Sequence, residues 1–173
     1  MHYIESFDVA VDIRFNDQID LEQIQFYDKI VFSPGPGLPK DAGLMNTIIQ
    51  TYRDTIPMLG VCLGFQAIAE NFGGQLYNQN KVKHGVSTIA KFDVGSRLFK
   101  NTAKSFKVGL YHSWAVKESN LPDCLKITAR SAEDVIMAFE HKSLPIAGVQ
   151  FHPESILSQN GKQIVQNFLF DFH

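Results

Sequence analysis

Pro57-Met58-Leu59-Gly60-Val61-Cys62-Leu63-Gly64-Phe65-Gln66-Ala67-Ile68-Ala69-Glu70-Asn71-Phe72 decides the reading of this chain. Its first five residues form an apolar run with the character of a buried strand, and the run from Gln66 to Phe72 has the character of a helix. Between them Gly60 and Gly64 flank Cys62, so the backbone can bend sharply without a Cβ clash. The pattern is strand, tight turn, helix, with a cysteine at the apex. With serine in that place it is the G-x-S-x-G nucleophile elbow. A cysteine there sits at a helix N-terminus, where the positive end of the dipole favours thiolate over thiol. The alternative is a cysteine that serves as a small buried hydrophobe, the commoner fate of a free thiol.

Working upstream, Leu44, Met45, Ile48, Ile49 and Tyr52 fall on one helical face, with Asp41 available as a cap. Before them, Lys29 to Ser33 reads as a strand that runs into the rigid turn Pro34-Gly35-Pro36-Gly37-Leu38-Pro39. Leu21, Ile24 and Phe26 point to a short helix. Val9, Val11, Ile13 and Phe15 alternate with polar residues at strand period, and residues 2–7 could be only the last turns of a helix. Downstream, Gly73-Gly74 closes the helix that follows Cys62. Gln75 to Phe92 and Phe106 to Val116 are strand-like, and Leu125–Ser131 with Ile136–His141 predict a hairpin about Ala132-Glu133-Asp134. Pro145 to Phe151 is an apolar strand ending in His152-Pro153-Glu154, and a last helix starts near Ser158 or Asn160 with Ile164, Val165, Phe168 and Leu169 facing inward. The β-α-β-α-β-α order of the first half predicts an α/β fold. The expectation is three layers, a mostly parallel central sheet flanked by helices, with an added antiparallel region.

The composition narrows the function classes. The chain has 173 residues, enough for one domain with a substantial core. A net charge of −2 leaves no excess of basic residues for nucleic acid or an anionic membrane. Two cysteines, Cys62 and Cys124, do not make a secreted disulfide framework and fit a reducing cytoplasm. No basic and apolar leader opens the sequence, and no apolar run reaches membrane-spanning length.

In a parallel sheet the loops at the carboxyl ends of the strands meet along one edge. The Ser33–Gly37 turn, the Cys62 elbow and the His152–Glu154 corner all follow strands, so all three are expected there. A thiolate needs a base to take and return its proton. His152 follows an apolar strand directly, and Glu154 stands two residues on, able to hold the other ring nitrogen. His112, in Tyr111-His112-Ser113-Trp114, is the rival base but has no carboxylate at useful spacing. His2, His84, His141 and His173 read as surface or core residues. The backbone N–H of Leu63 is the default donor to an oxyanion, with Gly35 as the second because Pro34 and Pro36 have no N–H. The Pro-Gly turn lacks the Lys-Ser/Thr ending of a phosphate loop. No cluster of His, Cys, Asp and Glu has metal-ligand spacing, so no metal or cofactor is expected.

Four segments, Ser33–Gly37, Gly60–Gln66, Tyr111–Trp114 and Gly148–Ser155, together resemble the triad (class I) glutamine amidotransferases in order and spacing over nearly the whole chain. Within that family the chain is most similar to the glutaminase subunits of anthranilate synthase and of aminodeoxychorismate (para-aminobenzoate) synthase. The resemblance implies a flavodoxin-like fold, one amidotransferase domain over residues 1–173, and Cys62 attacking the carboxamide of glutamine to form a glutamyl thioester. It further implies that Gln66 and the backbone of Ser113 and Trp114 hold the amino-acid end of glutamine. Ammonia would pass to a chorismate-binding partner subunit. Two departures stand out. The family's first strand and the loop after it have no counterpart before His2, so the sheet is expected to lack that strand. Val86, in His84-Gly85-Val86-Ser87, stands where many members carry lysine. The other readings are a stand-alone γ-glutamyl hydrolase and an inactive binding subunit. Activity is expected to fall at low pH as His152 gains a proton, at a lower pH if a Cys–His ion pair is already formed.

Overall fold

The structure, a computed structural model, describes residues 2–173 apart from the side chains of His2 and Lys81, so the expectation for the His2 side chain lies outside the described residues. Seven strands among them form one sheet in the order β1-β2-β7-β6-β5-β3-β4. Strand β1 (Ile30–Phe32) and strand β2 (Met58–Val61) pair in parallel, and β2 pairs in parallel with β7 (Ile146–Val149). The remaining strands, β3 (Leu76–Phe92), β4 (Ser105–Val116), β5 (Leu125–Ser131) and β6 (Ile136–His141), pair antiparallel with their neighbours, and β6 with β7 likewise. The α/β class and the added antiparallel region both hold, and the antiparallel part is the larger: β1-β2 and β2-β7 are the parallel pairs. The cause lies in the connections. Parallel neighbours need a crossover, usually helical, and among the described residues no α-helix lies between β3 and β7.

The helices cover both faces. Helix α3 (Met45–Tyr52) and helix α4 (Leu63–Asn71) bury Ile48, Ile49, Phe65 and Ile68 on one side with Met58 and Ile146. Helix α5 (Gly161–Asp171) buries Ile164 and Phe168 on the other, beside Phe92, Phe106 and Phe151. Phe92 and Phe106 stack at 4.0 Å, and Phe65 stacks on Phe139 at 4.5 Å. Strand β2 is buried along its whole length, which is why it reads as an unbroken apolar run. Two short helices, α1 (His2–Glu5) and α2 (Leu21–Ile24), complete the elements. No helix among the described residues is long and apolar enough to cross a membrane.

Two local expectations fail. Residues 9–15 form no strand. Their alternation marks a face, but pairing needs a neighbour, and the outer edge of β1 carries none among the described residues. Ile13 and Phe15 are consequently 60% and 75% exposed. Asp41 does not cap α3: it ends a 3-10 turn over Pro39–Asp41, and the helix starts at Met45 after Leu44, with no side-chain cap.

β1, β2 and α4 meet in close backbone contact. A Cβ on Gly64 would stand 2.5 Å from Phe32 Cβ and 2.6 Å from its carbonyl oxygen, and a Cβ on Gly60 would meet the backbone of Gly64 at 2.4 Å. Gly73, which ends α4 at φ +99°, faces open space. Gly64→Ala is therefore expected to lower the unfolding free energy by more than the ~1–3 kcal/mol usual for overpacking. Gly73→Ala, strained only in its backbone, should cost about 1 kcal/mol. Urea denaturation of the two variants against the parent measures both.

Candidate active site

Cys62 sits between the last residue of β2 and the first of α4, with φ +52° and ψ −97°. A residue with a Cβ adopts that conformation only where its surroundings force it. Here the forcing contacts are visible. The Cys62 N–H donates to the Val149 carbonyl at 2.8 Å, its own carbonyl accepts from Gln66 N–H at 3.1 Å, and Gly60 and Gly64 let strand and helix close on each other. Cys62 as a whole is 7% exposed. The N–H of Leu63, first in the helix, is one of the donors that a helix leaves without an internal partner.

The three loops expected at one sheet edge do meet there. They line a cavity of about 520 Å³ whose wall includes Gly35, Cys62, Leu63, Gln66 and His152. Gly35 approaches so closely that a Cβ on it would lie 2.9 Å from Leu63 Cδ2. His152 Nδ1 lies 2.7 Å from Glu154 Oε1. Its Nε2 is buried and has no nitrogen or oxygen partner. Burial alone would lower the pKa of this imidazole. Contact with the Cys62 sulfur and with the Glu154 carboxylate outweighs burial and raises it to about 9. Burial likewise pushes the Glu154 carboxyl up, but the bond and charge of His152 bring it below the ordinary value.

Ser113 and Trp114, on β4, line the same cavity. The Gln66 amide donates to the Trp114 carbonyl at 2.9 Å, so two of the elements expected to hold substrate are bonded to each other. His112 lines the same cavity. Its Nδ1 lies 2.9 Å from the Trp114 carbonyl, which can only accept, so Nδ1 carries the proton and Nε2 is a buried lone pair without a partner. Burial, reinforced by the charges of His152 and Lys83, lowers its pKa to about 4 against the opposing pull of the Trp114 carbonyl. That makes it a weak proton acceptor beside His152.

Two residues of the site escaped the sequence reading. Gln150 is fully buried, donates from Nε2 to the Cys62 sulfur at 3.6 Å, and accepts from Gln66 at 3.2 Å. It lies inside the Gly148–Ser155 segment, two residues before His152, where its polarity in an apolar strand was the available signal. His84, expected on the surface or in the core, is exposed and also lines the cavity. Only the pairing of His84 with Tyr111 across β3 and β4 brings it there. Among the described residues no group of three or more His, Cys, Asp or Glu could hold a metal ion.

Comparison with known proteins agrees with this geometry. A protein from Haloarcula marismortui, anthranilate synthase component II, is 44% identical over 97% of this chain and 88% of its own length. The aminodeoxychorismate/anthranilate synthase component 2 of Bacillus subtilis is 37% identical over 98% of this chain and 88% of its own. Among solved structures, a GMP synthase-like protein from Thermoplasma acidophilum superposes with a TM-score of 0.87 at 28% identity, covering 97% of this chain and 83% of that one. The family model for glutamine amidotransferase class-I matches residues 1–172, and the chain belongs to that family of glutamine-hydrolysing enzymes.

Proposed function

We propose that this chain is the glutaminase subunit of a chorismate-aminating synthase, with Cys62, His152 and Glu154 as its catalytic residues. The observation that carries the reading is the state of His152. Its Nδ1 is held by Glu154, and its buried Nε2 has no partner but the Cys62 sulfur to answer to. An imidazolium in that position stabilises a thiolate.

The Cys62 thiolate attacks the carboxamide carbon of glutamine, and the carbonyl oxygen becomes an oxyanion facing the N–H groups of Leu63 and Gly35. The intermediate collapses as His152 gives its proton to the departing nitrogen, releasing ammonia and leaving a glutamyl thioester. Water then loses a proton to His152 and attacks the thioester, and glutamate leaves as Cys62 regains its charge. Glu154 holds the ring orientation throughout. Gln66, Ser113 and Trp114 line the wall where the amino-acid end of glutamine would lie. Gln150 adds a donor on the sulfur, which favours its charged form.

The names of the Haloarcula and Bacillus relatives support a chorismate-binding partner that consumes the ammonia, making anthranilate. The Bacillus name, which carries both activities, equally supports the aminodeoxychorismate reaction of folate synthesis. Both cysteines are free, Cys62 buried and Cys124 partly so, in keeping with a reducing cytoplasm. Mixing the chain with each candidate chorismate-binding partner, glutamine and chorismate, and identifying the product, decides between the two. Absence of either product with both partners would sink the reading.

Three outcomes are expected of the enzyme itself. Cys62→Ser should lower glutamine hydrolysis at least about a thousandfold, read as glutamate released. The pH profile of kcat/KM should stay high below pH 6.5, an ordinary imidazole value, because the resting ring already carries its proton. It should decline as pH rises through about 9, where His152 loses that proton. Gln150→Leu should slow alkylation of Cys62 by iodoacetamide roughly tenfold at neutral pH, the worth of a hydrogen bond to a charged group.

A further inference from the structure

The His152 backbone is well anchored. Its N–H donates to the Gly109 carbonyl at 3.1 Å, and its carbonyl accepts from Ser155 N–H at 3.1 Å and Ser158 Oγ at 2.5 Å. The side chain is less so. Its one hydrogen bond to nitrogen or oxygen runs to Glu154, whose own side chain is 44% exposed on the same turn, and its other contact is the Cys62 sulfur. A half-exposed carboxylate and the sulfur that reacts are weak holds on the plane of an imidazole. Something else must fix the plane of the ring.

Tyr111 is the group in place to do so. Its ring centroid lies 4.7 Å from that of His152, with the planes inclined at 56°. The phenol is fixed at both ends. Its hydroxyl is 3.0 Å from Ser155 Oγ, on the turn that carries His152 and Glu154, and His84 meets the ring edge-on at 5.5 Å. Ser155 Oγ also accepts from Leu157 N–H at 3.1 Å, so the turn and the phenol share one anchor. Tyr111 is on β4, the strand whose Gly109 already holds the His152 backbone.

We propose that Tyr111 is a positioning residue, its ring the wall that keeps the His152 imidazole turned toward Cys62 and its hydroxyl the tie that fixes the turn. This rests on the reading of Cys62 and His152 as a working pair. A protonated imidazole against an aromatic ring is favoured over a neutral one, so the contact also helps His152 keep its proton. The groups facing His152 are Cys62 from the elbow, Glu154 from its own turn, and Tyr111 and His112 from β4.

The test compares the parent with Tyr111→Phe, Tyr111→Leu and His152→Ala. Two readouts are taken: glutamine hydrolysis as kcat and KM, and the rate of Cys62 alkylation by iodoacetamide across the pH range. Tyr111→Leu is expected to lower kcat about ten- to a hundredfold, the scale of a misplaced catalytic group, with KM within about threefold. Its alkylation profile should shift toward that of His152→Ala. Tyr111→Phe keeps the wall and loses the tie, so its profile should stay with the parent and its kcat fall between the two. If His152→Ala alkylates with the parent's profile, the Cys–His pairing itself is wrong. If His152→Ala shifts the profile and Tyr111→Leu does not, the pairing stands and the role given to Tyr111 is wrong. Should Tyr111→Leu not fold, Tyr111→Met, flexible and of similar volume, carries the same expected outcomes.

Discussion

The hydrogen bond from Cys62 N–H to the Val149 carbonyl is what the site depends on. It ties a backbone at φ +52° to the neighbouring parallel strand, and the strain is held because everything around it is close-packed. Gly60 and Gly64 leave no room for a methyl group, and Gly148 admits the Phe65 ring, where a Cβ would come within 2.8 Å. Phe65 in turn stacks on Phe139. The cysteine is therefore held by contacts spread over β1, β2, β6, β7 and α4. A side chain with one free rotor on so rigid a base has little left to organise when substrate arrives.

The two halves of the mixed sheet divide the work. The parallel strands deliver the Pro-Gly turn, the elbow and the His152 corner to one edge, as strand direction requires. The antiparallel ribbon of β3 and β4 then closes the cavity from the side, bringing Ser113, Trp114, His112 and His84 against it. In β3 the register shifts between Asn78 and Lys83, opposite Ser113, so the extra residues arch out of the ladder beside the cavity. Irregular pairing of this kind is common beside functional sites, where it redirects side chains.

Much of this could be read from the residues. The elbow was legible because glycines at Gly60 and Gly64 leave few alternatives for the backbone around Cys62. The Glu154 contact was legible because a Pro-fixed turn brings two side chains together over two residues. What failed required long-range pairing. Residues 9–15 have the period of a strand, yet periodicity names a face and not a partner. The added antiparallel region was legible in the hairpin about Ala132-Glu133-Asp134, but its extent was not, because parallel and antiparallel strands can share a composition. Gln150 could be found only once β7 was set beside β2, since its partners Cys62 and Gln66 lie far off in sequence.

That distance has a consequence in time. Gln150 and Cys62 are 88 residues apart in the chain, and β2 has no inner neighbour until β7 arrives. During synthesis the strand, the glycines and the whole of α4 leave the ribosome well before the residues that accept the Cys62 N–H and face its sulfur. Pairing over such a separation carries a large loop-closure cost and forms late. A thiol with a geometry fit for attack thus exists only after nearly the entire domain has folded, so a nascent or half-folded chain presents an ordinary cysteine.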